Sequence, residues 1–316
     1  YGDTLIFEIW NQVASFAGYA FAKGHSASYA VESYQTLFLR AYFPLEYMVA
    51  VLNNGGGFYR AEFYIHEARM LGASIHAPCI NKSDAGNRIY GKELYLGFMY
   101  LKELEVRVID RILKERVVNG AYLSLEDFLD RVLISIEQAS ILIRIDAFRF
   151  TGTNKHELLW KAHLYLTKNI KIDHPKLFRP KQQDFEIPKL HTTDLEQAFT
   201  QLELLGFCLC SPFALLVEPP KNTTGSKDLE RYLNKHIDIY GYIVTVKNTK
   251  THKGKRMHFA TLVDQQGAVF DTVLFPPVAA VYPFQGRGIY HVYCGRQYVW
   301  HRWGAVYRWY PSGLIL

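Results

Sequence analysis

At 316 residues the chain is too long for one ordinary core, so two or three domains are expected. Hydrophobic residues make up 49% and charged residues 21%, which excludes a disordered chain, and no uncharged apolar run is long enough to span a bilayer. The formal charge of +6 permits attraction to polyanions without requiring it. Four scattered cysteines (Cys79, Cys208, Cys210 and Cys294) do not make a disulfide framework and point to reduced thiols in a cytosolic setting. The sequence opens at Tyr1 with no initiator Met and no signal-peptide pattern, which suggests a piece excised from a longer protein.

From Thr4 to Asn53 the apolar residues recur at three- and four-residue spacing, with Pro44 restarting the pattern and Asn53-Asn54-Gly55-Gly56-Gly57 ending it. A further amphipathic helix is predicted over Phe58–Leu71, stopped by Gly72. Short strands are expected between Ile75 and Phe98. Helices follow, one of them capped by Ser124 ahead of Glu126 and Asp127 and another spanning Ser135–Ile145, in a helix, hairpin, helix pattern repeated twice. Residues 169–191 are polar and proline-dotted and read as a surface connection. A helix over Thr193–Leu205 and a second linker at Pro219–Ser226 lead to five β-branched, aromatic segments that predict a small all-β barrel.

The densest chemistry lies between the first two barrel strands, in KNTKTHKGKRM, where Lys247, Lys250, Lys253, Lys255 and Arg256 occur without one acidic residue. In an oligonucleotide-binding barrel such a loop borders the binding face, where cations neutralise phosphates and rings such as Phe259 and Phe275 stack on bases. The plainer alternative is that the rings fill the core and the lysines solvate a turn. In the hairpin region, Lys102-Glu103-Leu104-Glu105 has glutamates where glycines would let backbone amides approach phosphates, so the first unit reads as structural. The second unit has Asp146 in the comparable place, with Arg149, Gly152 and Lys155 nearby, and stays open. No phosphate loop or metal-type histidine pair is present. His25, in Lys23-Gly24-His25-Ser26, could meet a phosphate at a helix start or act as a cap.

The blocks FAKGHSASYAVESYQTLFLRAYFPLEYMVAVL, YIHEARMLGASIHAPCIN, LGFMYLKEL, SLEDFLDRV, AFRFTG, LELLGFCLCSPFALL and GYIVTVKNTKTHKGKRMHFATLVDQQGAVFDTVLFP, in that order, resemble the C-terminal half of a bacterial DNA polymerase III α subunit. The resemblance implies a multidomain α + β chain: the end of a fingers domain at 1–85, a tandem helix-hairpin-helix domain at 86–168, a linker and clamp-binding region with one helix at 169–230, and an OB-fold at 231–316. It implies that Lys23 and His25 face the incoming nucleotide, while Tyr29, Tyr34, Leu37, Phe38 and Tyr42 pack their helix onto its neighbours. Ala22 and Gly24 depart from the family's Phe-Asn-Lys-Ser-His. It further implies that Arg149, Lys155 and the basic loop contact DNA.

On the same resemblance a sliding clamp would bind an extended peptide, either at His174, Leu177 and Phe178 or at Gln182, Gln183 and Phe185. Partners would be primer-template DNA, single-stranded template, the clamp and other replisome subunits, in the bacterial cytoplasm and with no membrane. The catalytic aspartates and their Mg2+ would belong to a palm upstream of Tyr1, leaving this chain with no catalytic residue or cofactor of its own and inactive alone. The alternative is a stand-alone single-stranded nucleic-acid-binding OB-fold protein with a helical adaptor.

Overall fold

The computed structural model describes residues 2–19, 23–168, 190–221, 223–232, 235–301 and 304–315. Two long helices open the chain, α1 (Asp3–Tyr19) and α2 (Lys23–Tyr42). Pro44 then occupies the first turn of α3 (Pro44–Asn53), where its missing N–H removes no helical bond. Gly55 and Gly56 take positive φ after α3 and turn the chain. The helix expected from Phe58 starts later, as α4 (Ala61–Met70). Arg60 is held extended ahead of it, paired with Glu62 at 2.6 Å and donating to the carbonyl of Ile243 at 3.3 Å.

The short strands form a three-stranded sheet in the order β1 (Ser74–His76), β3 (Glu93–Tyr95), β2 (Arg88–Tyr90), with β1 parallel and β2 antiparallel to β3. Arg116 pins the connection from β1 to β2 by donating to the carbonyls of Ile80 (2.7 Å) and Ser83 (2.6 Å) and pairing with Asp84 at 2.5 Å. Gly97 is needed for packing: a Cβ there would collide with the Ala85 and Gly86 backbone.

Arg116 lies on α5 (Val106–Asn119), followed by α6 (Leu125–Arg131), α7 (Ile136–Arg144), α8 (Lys155–Lys168) and α9 (Asp194–Leu205). Ser124, Ser135 and Thr193 cap α6, α7 and α9 by accepting from the backbone amides of Asp127, Gln138 and Glu196. One contiguous core runs from Leu45 on α3 to Phe207 after α9. Ala85 packs against it, and it takes in Leu204 and Leu205, so α9 packs with the helices before it.

A second core lies beneath five antiparallel strands ordered β6 (Val269–Leu274), β5 (Arg256–Asp264), β4 (His236–Lys250), β7 (Ile289–His301), β8 (Gly304–Ile315). Ile237, Ile239 and Ile243 alternate inward on β4, and Leu262 and Phe270 face them from β5 and β6. A short helix, α10 (Pro276–Val281), which the strand pattern did not signal, connects β6 to β7. The edge strands β6 and β8 lie close to one another, with no hydrogen-bonded ladder between them among the described residues.

Candidate nucleic-acid interface

Strands β4 and β5 pair from Gly241↔Asp264 out to Lys250↔Arg256, with a register shift between Ile243 and Thr245. That irregularity reverses which parity faces inward: Val246 packs toward the core while Lys247 turns out. The tip closes through Thr251, whose N–H donates to Lys255 O at 2.9 Å and whose carbonyl accepts from Gly254 N–H at 2.8 Å. Gly254, at φ +74, supplies the left-handed residue this tight return needs. Lys247, Lys250, Lys253, Lys255 and Arg256 are all exposed on this hairpin, and none has a carboxylate within ion-pair distance among the described residues. Their field therefore projects into solvent, where it can attract an anion.

Rings lie on the same outer surface. Phe259 stands opposite Lys247 and is 43% exposed, whereas the next residue, Ala260, is buried. Towards β7 the outer face of β4 carries two stacked pairs that the sequence reading missed. Tyr240 stacks on His291 at 4.3 Å with rings 6° from parallel, and His236 stacks on Tyr293 at 5.3 Å and 15°. Asp238 lies 2.6 Å from His291 Nε2. The signal was available: with Ile237 and Ile239 facing in, positions 236, 238 and 240 must face out. Phe275 is half-buried ahead of α10, and Phe270 is a core residue. His258 sits 2.5 Å from Asn248 Oδ1 across the ladder, and burial, reinforced by Arg256, lowers its pKa.

The other expected contacts are placed differently. Lys155 is only 6% exposed; its Nζ pairs with Glu196 at 2.9 Å and donates to Gln197 at 3.2 Å, so its charge serves the α8–α9 contact. Arg149 donates to the carbonyls of Ala77, Pro78 and Asp146 at 2.9–3.0 Å, which fixes the second hairpin against the strand region instead of presenting a cation outward. Both hairpin turns contain a left-handed non-glycine residue, Glu103 (φ 65) and Asp146 (φ 67). The first is also occupied from within: Gln138 donates to Glu103 O at 2.8 Å and accepts from Glu105 N–H at 2.8 Å, while Lys102 N–H donates to Leu204 O. The Lys102 and Glu105 amides are thereby committed inside the fold.

At the start of α2, His25 is exposed and meets Tyr29 edge-on at 4.4 Å; Lys23 opens the helix, and its side chain lies outside the described residues. The apolar residues of α2 expected to pack inward are instead on the surface, with Tyr34 75% and Leu37 64% exposed, because among the described residues α2 contributes to neither core. Both expected clamp peptides (His174, Leu177, Phe178; Gln182, Gln183, Phe185) lie outside the described residues. Among the described residues no group of His, Cys, Asp or Glu side chains is arranged to hold a metal ion, and no helix is long and apolar enough to cross a membrane.

A family model described as a helix-hairpin-helix motif matches residues 72–158, the stretch containing both left-handed turns. The DNA polymerase III α subunit of Borreliella burgdorferi is 28% identical over 301 residues, covering 87% of this chain and 26% of that protein. That of Treponema pallidum is 29% identical over 294 residues, covering 86% and 24%. The chain resembles the α subunits of DNA polymerase III along most of its length. It spans about a quarter of the length of these curated relatives. A mitochondrial single-stranded DNA binding protein from S. cerevisiae aligns with 26% of this chain and 94% of its own at 14% identity, with a TM-score of 0.23, too low to support an argument about the fold.

Proposed function

We propose that this chain is the DNA- and clamp-binding portion of a replicative DNA polymerase III α subunit, supporting template-directed DNA synthesis carried out elsewhere in the parent protein. The observation that carries the reading is the cation cluster on the β4–β5 hairpin, with no carboxylate in ion-pair distance among the described residues, beside an exposed ring, in a chain that resembles polymerase α subunits over most of its length. The strand order β6-β5-β4-β7-β8, with α10 between the third and fourth strands, supports reading the second core as an OB-type barrel. Single-stranded template would cross its outer face, phosphates on the lysines and bases on Phe259.

The helical core would sit beside primer-template duplex. With the Lys102 and Glu105 amides of the first hairpin taken, its role is to brace the second. Lys23 and His25 would face the incoming nucleotide at the positive end of α2. The sliding clamp would take the Leu177-Phe178 peptide, whose paired apolar anchors suit such a groove. The Mg2+-dependent phosphoryl transfer and its carboxylates are assigned to the parent outside this chain, in a bacterial cytoplasm.

Fluorescence anisotropy tests the reading, with labelled single-stranded and duplex DNA titrated over a salt series. The wild-type chain should prefer the single strand. The triple variant Lys253→Glu, Lys255→Glu, Arg256→Glu should lose most of that binding and flatten the salt slope by about 0.7 for each contact removed. A triple variant that binds single strands like wild type would remove the assignment.

A further inference from the structure

The five-stranded sheet is tied to the helical part by long-range hydrogen bonds. Arg60 donates to Ile243 O (3.3 Å), His66 Nε2 to Gly267 O (2.9 Å) and Arg287 to Gly206 O (3.0 Å). Among these ties lies a cavity of about 440 Å³, within the range of small-molecule sites. Its wall is chiefly apolar, with Phe63 and Met70 from α4, Leu202 from α9, Phe213 and Leu216 from the following turn, and Val263 from β5.

Three charged side chains line it, and two are already matched. Glu62 pairs with Arg60 at 2.6 Å. Asp264 accepts from the backbone N–H groups of Ser226, Gln266 and Ala268 at 2.8–2.9 Å. Arg69 differs. Among the described residues its guanidinium makes one hydrogen bond, to Leu209 O at 2.6 Å, and has no carboxylate within ion-pair distance. The titratable groups acting on it are the thiols of Cys208 and Cys210; burial pushes the Cys208 thiol up to about 12, so it offers no countercharge at neutral pH. Burial lowers the Arg69 pKa, yet a guanidinium stays charged in proteins. A half-buried cation whose remaining donors have no protein acceptor among the described residues, set in an apolar wall, is matched best by an anion on an apolar body.

We propose that this cavity binds a small amphipathic organic anion, an aromatic or branched apolar body carrying one carboxylate, sulfonate or phosphate, with Arg69 receiving the anionic group. The site adjoins the Tyr242↔Val263 end of the β4–β5 ladder, opposite the end that carries the basic tip, and does not depend on the DNA-binding reading.

The test uses the whole chain and two dyes that differ in charge, 8-anilinonaphthalene-1-sulfonate and uncharged N-phenyl-1-naphthylamine. Wild type should bind the sulfonate at one saturable site. Arg69→Gln should weaken the sulfonate by roughly 10-fold or more and leave the neutral dye unchanged, with Arg69→Lys retaining part of the preference. Leu202→Trp, which fills the cavity from its rim, should abolish both. Alkylation of Cys208 and Cys210 by iodoacetamide, followed by peptide mass spectrometry, should slow when the sulfonate is bound. Should Arg69→Gln fail to fold by circular dichroism, Leu202→Trp and the alkylation rates decide the matter. Sulfonate binding that is indifferent to the variants and leaves both thiols unprotected would put the dye on the exposed faces of α1 and α2 and overturn the proposal. Displacement of the dye by oligo-dT would overturn it too, by making the cavity part of a nucleic-acid path.

Discussion

Phe259 stands directly across the β4–β5 ladder from Lys247, an exposed ring beside an exposed cation on the outer face of the sheet. The pairing provides, in one cross-strand step, a surface for a base and a charge for its phosphate. Phe259→Ala should weaken single-strand binding by about 1–3 kcal/mol. Because the ring is outside the core, stability should stay within about 0.5 kcal/mol of wild type. Anisotropy and urea denaturation on the same protein separate the two effects.

Lys155 is buried, and its ammonium group is paired with Glu196 at 2.9 Å. The hydrogen bond from Lys155 holds the Glu196 carboxyl below the usual carboxylate range. A depressed carboxylate pKa stabilises the fold above its unfolded value, and that contribution is lost as pH falls through the folded value. Glu196→Gln should cost about 1–3 kcal/mol at neutral pH. It should also reduce the loss of stability below pH ~4.5 relative to wild type. Thermal melts from pH 7 to pH 3 check both.

Much of this architecture was legible in the residues because local signals agreed. Pro44, Ser124, Thr193 and the cation run at 247–256 each mark a boundary or loop through their own chemistry. What was not legible came from partners far along the chain. Lys155 and Arg149 read as exposed cations because Glu196 and the carbonyls of Ala77 and Pro78 come close only when the chain folds. The Tyr240–His291 and His236–Tyr293 stacks depend on the β4–β7 register, which short-range spacing does not specify. The outward apolar side chains of α2 followed the periodicity of a packed helix, but periodicity does not identify what covers the face.

Glu103 is exposed and holds φ 65, where a Cβ is unfavourable. Glu103→Gly should relieve that strain and stabilise the chain by about 0.5–1 kcal/mol, the gain being limited by the greater entropy of an unfolded glycine. Gly97→Ala is the converse and should destabilise by about 3 kcal/mol, because the added Cβ meets backbone that cannot move aside. Chemical denaturation of both variants would check the contrast.

His258 has its pKa lowered by burial and then by Arg256. The unfolded chain therefore binds the proton more readily. Stability should be flat above pH ~7 and decline as pH falls through the ordinary histidine value of roughly 6.5 toward the folded one. His258→Asn should reduce the difference in Tm between pH 7.5 and pH 5.5, measured by differential scanning fluorimetry.

The most direct test of the central claim is to map where single-stranded DNA touches the chain. Ultraviolet crosslinking of oligo-dT to the wild-type protein, followed by peptide sequencing, should give adducts concentrated between Lys247 and Phe259, with weaker adducts at Tyr240 or Tyr293. Adducts confined to residues 98–168, with the hairpin unmodified, would assign single-strand binding to the helical core and contradict the account.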